Sequence, residues 1–197
     1  DWINGLKASI SELKNRNALA VASLQAIGIA GHMHGATLLD KNGEILHPCI
    51  LWNDTRSYKQ ASILDKDVNL REITGNIVFP GFTAPKLLWI QDNKPELFEQ
   101  VAKVLLPASY LGYYLTGEFF MDMSDAAGTS WLDVGNRCWS EYALKAGNMR
   151  SDQMPKLLEG TQVASSISKF IADELGIPSG VSVVAGAGDN AAAACGV

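Results

Sequence analysis

The stretch that most constrains the fold lies near the end of the chain and reads VVAGAGDNAAAA, from Val183 to Ala194. Its short, valine-rich apolar start predicts a buried strand. Small residues follow, and Asp189 then stands where an alanine-rich helix begins. A strand, a small-residue turn and a helix bring backbone N–H groups and a helix N-terminus close to an anion in α/β proteins. The stretch therefore predicts an α/β fold with a ligand site near Asp189.

Two interpretations of Asp189 remain open on this stretch alone. A carboxylate at this position, with Asn190 beside it, can accept a proton from a substrate hydroxyl while the turn faces a phosphate. Aspartate is also among the preferred N-caps of helices, and its charge interacts favourably with the helix dipole. The first interpretation makes Asp189 a general base, and the second gives it a structural role.

The composition indicates a globular protein of about one domain. The 197 residues are 47% hydrophobic and 19% charged, with a net charge of −5 and no basic run. This balance argues against nucleic acid or an anionic membrane as a partner. Cys49, Cys138 and Cys195 are odd in number and far apart, which predicts reduced thiols and a cytoplasmic location. Neither a membrane span nor a signal peptide is predicted.

Predicted helices and strands alternate along the chain. Apolar residues at helical spacing predict a helix over residues 1–15, and residues 25–30 predict a strand. An Asn-Gly pair at 42–43 predicts a hairpin between strands 36–39 and 44–51. Residues 73–81, 124–129 and 151–164 are expected to be loops or irregular. The alternation predicts an α/β fold with a largely parallel sheet. Thr83, Ser109 and Ser166 are expected to cap helices, and Pro95 and Ser140 to start two others. Gly117 and Gly176 are expected to end the helices capped by Ser109 and Ser166.

The loop that follows the first strand contains two histidines, His32 and His34, between Gly31 and Gly35. Two histidines can bind a metal, but no third ligand occurs at a suitable spacing. Ligands of open α/β sheets bind at the carboxyl ends of strands, so Met33 and His34 could instead contact a small polar ligand. A tight connection with a surface histidine fits this sequence equally well.

Two further polar groups follow predicted strands. Asp54 and Arg56 come shortly after Trp52 and could form an ion pair or cap a helix, and a structural role is favoured. Asp122 and Asp125 flank Met123-Ser124 and are expected to form turns. The chain has no Walker loop, no complete dinucleotide-binding fingerprint and no serine elbow.

Taken together, these segments resemble the FGGY family of carbohydrate kinases, and the similarity covers nearly the whole chain in order. Met33-His34 stands where the glycerol kinases of the family carry Arg-Glu. Where the family usually has Gln, this chain has His32. The matching segments are 26–40 (AIGIAGHMHGATLLD), 50–56 (ILWNDTR), 80–89 (PGFTAPKLLW), 124–129 (SDAAGT) and 186–191 (GAGDNA).

The resemblance implies an actin-like, ribonuclease H-like ATPase domain with a mixed sheet flanked by helices. It also implies phosphorylation of D-xylulose to D-xylulose 5-phosphate by ATP with Mg²⁺. By position in the motifs, Asp189 is the catalytic base, and Met33, His34 and Asn190 join it in binding the sugar. Lys86 and Trp89 are expected to be structural. Secondary substrate-binding candidates are Trp52, Asp54, Arg56 and Met123.

Family members also carry a phosphate-binding hairpin at their start and a second domain that holds the nucleotide. Residues 1–197 are therefore expected to form most of the N-terminal sugar-binding domain without that hairpin, and to show no turnover alone. An open sheet edge that favours self-association is expected. The full-length protein is expected to be a cytoplasmic homodimer. Phosphorylation of another pentulose or related polyol, or sugar binding without catalysis, are the alternatives.

Overall fold

A computed structural model describes residues 1–197, which form eleven helices, nine strands and a 3₁₀ turn at Ser151–Gln153. The helices are α1 (Trp2–Arg16), α2 (Ala18–Ala22), α3 (Tyr58–Leu64), α4 (Val68–Thr74), α5 (Thr83–Asn93), α6 (Pro95–Phe98), α7 (Pro107–Thr116), α8 (Met123–Ala127), α9 (Glu141–Ala146), α10 (Lys169–Leu175) and α11 (Asp189–Ala194). The strands are β1 (Ala26–Gly31), β2 (Thr37–Leu39), β3 (Lys103–Leu105), β4 (Phe120–Asp122), β5 (Leu132–Asp133), β6 (Cys138–Trp139), β7 (Lys156–Leu158), β8 (Val163–Ser166) and β9 (Ser182–Gly188).

The sheet that positions the site has the strand order β1-β9-β8. Strands β1 and β9 are parallel, with Ala26 opposite Ser182 at one end and Gly31 opposite Gly188 at the other. Parallel strands end at the same edge of a sheet, so the loop after β1 and the helix after β9 start side by side. β1 has no strand partner on its other side, as expected for an open edge.

The remaining strands form three separate pairs. β4 and β7 are parallel, whereas β2 with β3 and β5 with β6 are antiparallel. β8 also runs antiparallel to β9. The mixed sheet implied by the family resemblance is therefore confirmed, and the expectation of a largely parallel sheet is wrong. Strands of two or three residues are too short for the sequence to reveal their direction.

The core contains two large apolar clusters. One contains Trp131 together with Leu87 and Ile90 of α5, all fully buried. The other packs under β9 and α10 and includes Val183 and Ala172. β1 packs against the second cluster and β2 lies in the first. The loop that joins these two strands therefore bridges the two halves of the core.

Several expected elements agree with the structure. Helix α1 spans the predicted range, and Gly117 and Gly176 end α7 and α10 in the left-handed conformation. The turn at residues 40–43 is present, but its second arm forms only isolated bridges, at Ile45 and Ile50. Pro48 lacks a backbone N–H, so this arm does not form a continuous ladder.

Other expectations are wrong in specific places. Residues 123–127 form α8 instead of a loop, because Asp122 accepts the backbone N–H groups of Ser124 and Asp125. Strand β7 lies within the stretch expected to be irregular and β8 begins in it, and α4 was not predicted. Helix α5 is capped by Phe82 and not by Thr83. Helix α7 starts at Pro107 rather than at Ser109, and α10 is capped by Ser168 rather than by Ser166.

No helix combines the length and the hydropathy that crossing a membrane requires.

Candidate sugar-binding site

The carboxyl edge of β1 and β9 borders a cavity of about 170 Å³. One wall comes from the loop after β1, and the opposite wall comes from the start of α11. A third contribution comes from the chain that precedes α3. The lining residues are His32, Met33, His34, Trp52, Asp189 and Asn190.

Asp189 is the first residue of α11, and Gly188 occupies the N-cap position. The Asp189 carboxylate accepts the backbone N–H of Asn190 at 2.8 Å and forms no ion pair. The interpretation of Asp189 as the N-cap is therefore wrong. Both Asp189 and Asn190 are exposed. The carboxylate thus keeps acceptor capacity for a hydroxyl group in the cavity.

The turn before Asp189 requires glycine. Gly186 has φ +83°, and a Cβ at this position would lie 2.1 Å from the carbonyl oxygen of Ile29 on β1. The β1–β9 ladder shifts register between Gly28 and Ala30, opposite this turn. The close approach of the two backbones fixes how β9 ends and hence where Asp189 projects.

His34 is held with one ring nitrogen available. Its Nδ1 lies 2.8 Å from the carbonyl oxygen of Gly128, and its ring stacks on Phe82 with centroids 4.5 Å apart. A carbonyl oxygen only accepts hydrogen bonds, so Nδ1 carries the proton and Nε2 of the neutral ring is an acceptor. Burial lowers the pKa of His34, which favours this neutral form. His34 can therefore accept a hydrogen bond from a ligand hydroxyl.

The backbone of His34 is also fixed. His34 adopts the left-handed conformation, with φ +68°. Its carbonyl oxygen accepts a 2.7 Å bond from Nζ of Lys86 and a 3.3 Å bond from Oγ1 of Thr83. Lys86 is completely buried, and this burial lowers the pKa of Lys86 to about 8. The two side chains of α5 thus hold a conformation that few non-glycine residues adopt.

The four secondary candidates for substrate binding occupy different places in the structure. Trp52 lines the cavity and is 57% exposed. Asp54 and Arg56 form an ion pair at 2.7 Å, and the Arg56 guanidinium lies 4.9 Å from the ring centroid of Trp89. This geometry agrees with the structural role favoured for the pair. Met123 lines a different depression, together with residues of β9 and the start of α8.

His32 occupies the side of the cavity nearest α1. Its Nε2 is buried without a hydrogen-bond partner, and its ring meets the Trp2 ring edge-on at 5.8 Å. No three His, Cys, Asp or Glu side chains lie close enough together to hold a metal ion. His32 and His34 therefore have no third metal ligand from this chain.

Sequence reasoning missed one polar residue behind the cavity. Asp125 was expected to form a turn, but it lies within α8 and is fully buried. Neither of its carboxyl oxygens has a hydrogen-bond partner. The helical cap signal of Asp122 followed by Ser124 could have predicted α8, but nothing in the sequence indicates that Asp125 faces inward.

Comparison with known proteins identifies the class to which this fold and cavity belong. The model of the FGGY family of carbohydrate kinases, N-terminal domain, matches residues 1–196. The xylulose kinase of Escherichia coli (strain K12) is 49% identical over 197 residues, which is 100% of this chain and 40% of that protein. The chain thus spans about 40% of the length of this relative.

Solved structures agree. A crystal structure described as a xyloylose kinase from Brucella ovis superposes with a TM-score of 0.97 at 50% identity, over 100% of this chain and 40% of that one. The xylulose kinase from Rhodospirillum rubrum gives a TM-score of 0.90 at 26% identity, over 95% and 40% of the two chains. The fold is the mixed α/β, actin-like ATPase fold of sugar kinases. The chain belongs to the FGGY family of carbohydrate kinases, as an N-terminal domain.

Proposed function

We propose that a full-length protein carrying this chain phosphorylates D-xylulose with ATP, and that residues 1–197 form most of its sugar-binding domain. The observation that carries the proposal is the cavity in which the exposed carboxylate of Asp189 and the fixed imidazole of His34 line the same space. Relatives at 49–50% identity are named xylulose kinases, which supports D-xylulose as the substrate.

In the proposed reaction, Asp189 is the general base. The reacting hydroxyl of the sugar donates a hydrogen bond to the Asp189 carboxylate. As the hydroxyl oxygen bonds to the γ-phosphorus of ATP, the bond from that phosphorus to the ADP oxygen breaks, and the proton passes to Asp189. Phosphoryl transfer depends chiefly on positioning and charge stabilisation, so a single oriented carboxylate suffices for this role.

The other lining residues orient the sugar. The Nε2 of neutral His34 accepts one hydroxyl, and the side-chain amide of Asn190 donates to and accepts from others. Met33 and Trp52 supply apolar surface against the C–H groups of the sugar. Asp54, Arg56 and Met123 do not line the cavity, so we do not expect them to contact the sugar.

ATP and Mg²⁺ enter the proposal as co-substrate and its counter-ion. The chain does not assemble three metal-ligating side chains, and the cavity is lined by a single carboxylate. These residues do not fit a self-sufficient magnesium site, so no step is assigned to the metal. Homodimer formation and a cytoplasmic location stay predictions.

A substrate panel tests the proposal. We expect the full-length protein to convert D-xylulose and ATP to D-xylulose 5-phosphate and ADP, with kcat/KM highest for D-xylulose among D-xylulose, L-xylulose, D-ribulose, L-ribulose and glycerol. Product formation is followed by ³¹P NMR, and a reaction without sugar is the control. A clear preference for another pentulose would reassign the substrate. Sugar binding without turnover would indicate a non-catalytic binding protein.

A further inference from the structure

The residue immediately before Asp189 is connected to the start of α8 by hydrogen bonds through the side chains of Ser124 and Asp122. The backbone N–H of Gly188 donates to Oγ of Ser124 at 3.0 Å. The Ser124 hydroxyl in turn donates to Oδ1 of Asp122, which is 2% exposed. Oδ1 also accepts the backbone N–H groups of Ser124 and Asp125. A partly buried hydrogen-bond chain therefore links the cap of α8 to the residue that precedes the proposed base.

Asp125 lies against the same junction. A Cβ placed on Gly188 would lie 2.9 Å from Oδ1 of Asp125 and 2.7 Å from Cγ of Met33. The Asp125 carboxyl group and the Met33 side chain, which lines the cavity, thus both lie against Gly188 at the end of β9. Asp125 is 0% exposed, and neither carboxyl oxygen has a hydrogen-bond partner. A buried carboxyl without partners is far less costly when neutral than when charged.

The charges that face Asp125 also favour its neutral form. Burial, followed by the negative charges of Asp122 and Asp189, raises the pKa of Asp125 to about 8. α8 also packs against β5 and β7, whose titratable residues are Asp133, which binds Asn136, and the exposed Lys156. Asp125 forms no ion pair with any basic side chain.

We propose that Asp125 is a positioning residue for Asp189 and that it acts in its protonated form. The neutral carboxyl packs behind Gly188 and leaves Asp189 as the only charged carboxylate at the cavity. Ionisation of Asp125 places a second, unpaired charge behind the β9–α11 junction and displaces Asp189 from the sugar hydroxyl. This inference rests on the proposed role of Asp189 as the base.

The first test is the pH profile of the full-length protein. For the wild type, we expect kcat/KM for D-xylulose to fall about tenfold per pH unit above the pH at which Asp125 ionises. Asp125→Asn, which is neutral at every pH, should keep kcat/KM within about threefold at pH 7 and move the alkaline decline upward by at least one pH unit. An unchanged alkaline decline would overturn the proposal. So would a folded Asp125→Asn protein that is inactive at pH 7.

Ser124→Ala provides the companion variant. It removes the bond to Gly188 without changing any charge, so kcat should fall several-fold at all pH values while the alkaline decline stays in place. A shift of that decline in Ser124→Ala would show that it reports the hydrogen-bond chain and not Asp125, which would overturn the proposal.

A measurement independent of turnover separates this inference from the proposed function. The infrared spectrum of the full-length protein at pH 7 should contain the carbonyl band of a protonated carboxylic acid, and Asp125→Asn should lose it. If Asp125→Asn loses the band but the wild type phosphorylates no sugar, the proposed function is refuted and Asp125 is still shown to be protonated. A band of equal intensity in both proteins would overturn the inference alone.

Discussion

Lys86 does not line the cavity, but its side chain holds the backbone of His34, which does. Its ammonium group donates to the carbonyl oxygen of His34, which has a positive φ. The sequence predicted a structural role for Lys86 although it lies in the family signature, but it could not reveal this partner, 52 residues away. Long-range side-chain partners depend on how α5 packs against the loop after β1.

Replacement of Lys86 tests this support. Lys86→Met in the full-length protein should raise KM for D-xylulose by about tenfold and change kcat less, because His34 loses its fixed backbone while Asp189 is untouched. The free energy of unfolding should change by about 1 kcal/mol or less, since relief of ammonium burial offsets the lost hydrogen bond. Steady-state kinetics and denaturant titration measure the two effects.

Lys94→Met is the matched control. Lys94 also contacts a histidine, His47, at 2.7 Å, but this pair lies outside the cavity lining. Its replacement should leave both kinetic constants unchanged. An equal rise of KM in the two variants would contradict the role of Lys86.

The stability of the domain should also depend on the protonation of Asp125. Below its ordinary pKa of 3.8, both folded and unfolded chains hold this proton, so Asp125 adds no pH dependence. Between that value and about pH 8 only the unfolded chain loses the proton, so the free energy of unfolding falls as pH rises. Above about pH 8 the effect levels off.

Denaturant titrations across this pH range measure the effect. The wild type should lose stability relative to Asp125→Asn as pH rises from about 4 to about 8, and the difference should then stay constant. A constant difference over the whole range would contradict a protonated Asp125 in the folded protein.

Among the helices, strands and turns, the sequence was most informative about those whose backbone conformation requires glycine. The β9 turn was predicted from its small residues, and the structure adds the reason, which is the contact between Gly186 and the backbone of β1. Helix α8 was missed because it has only five residues and consists of small and polar types. Its existence depends on the cap provided by Asp122 and on burial against β9.

A comparison of two glycines distinguishes the cost of backbone strain from the cost of a steric clash. Gly180 and Gly186 both have positive φ, at +78° and +83°, but a Cβ on Gly180 would meet no atom within 4 Å. We expect Gly180→Ala to destabilise the protein by about 1 kcal/mol through strain alone. Gly186→Ala should cost about 2 to 4 kcal/mol, because its Cβ would also collide with Ile29. Denaturant unfolding compares the two variants, and equal losses would contradict the steric account.

At the scale of the whole molecule, the α/β class and the family were predictable, but the strand directions were not. The motifs of the family occur in order along the chain. The two motifs that supply most of the cavity lining include residues of β1 and β9, which are parallel neighbours in the sheet. That adjacency joins residues 32–34 to residues 189–190, more than 150 positions apart. The short strand pairs around the remaining core depend on packing that no local sequence pattern records.

In the proposed reaction Asp189 takes the proton of the sugar hydroxyl, and replacing Asp189 in the full-length protein removes that acceptor. Asp189→Ala should lower kcat for D-xylulose phosphorylation by about 10² to 10⁴-fold. D-xylulose binding, measured by calorimetry without ATP, should weaken only a few-fold because the other lining residues remain. Asp173→Ala, at an exposed position on α10, is the control and should behave as the wild type. A kcat for Asp189→Ala within about threefold of the wild type would contradict the assignment of the base.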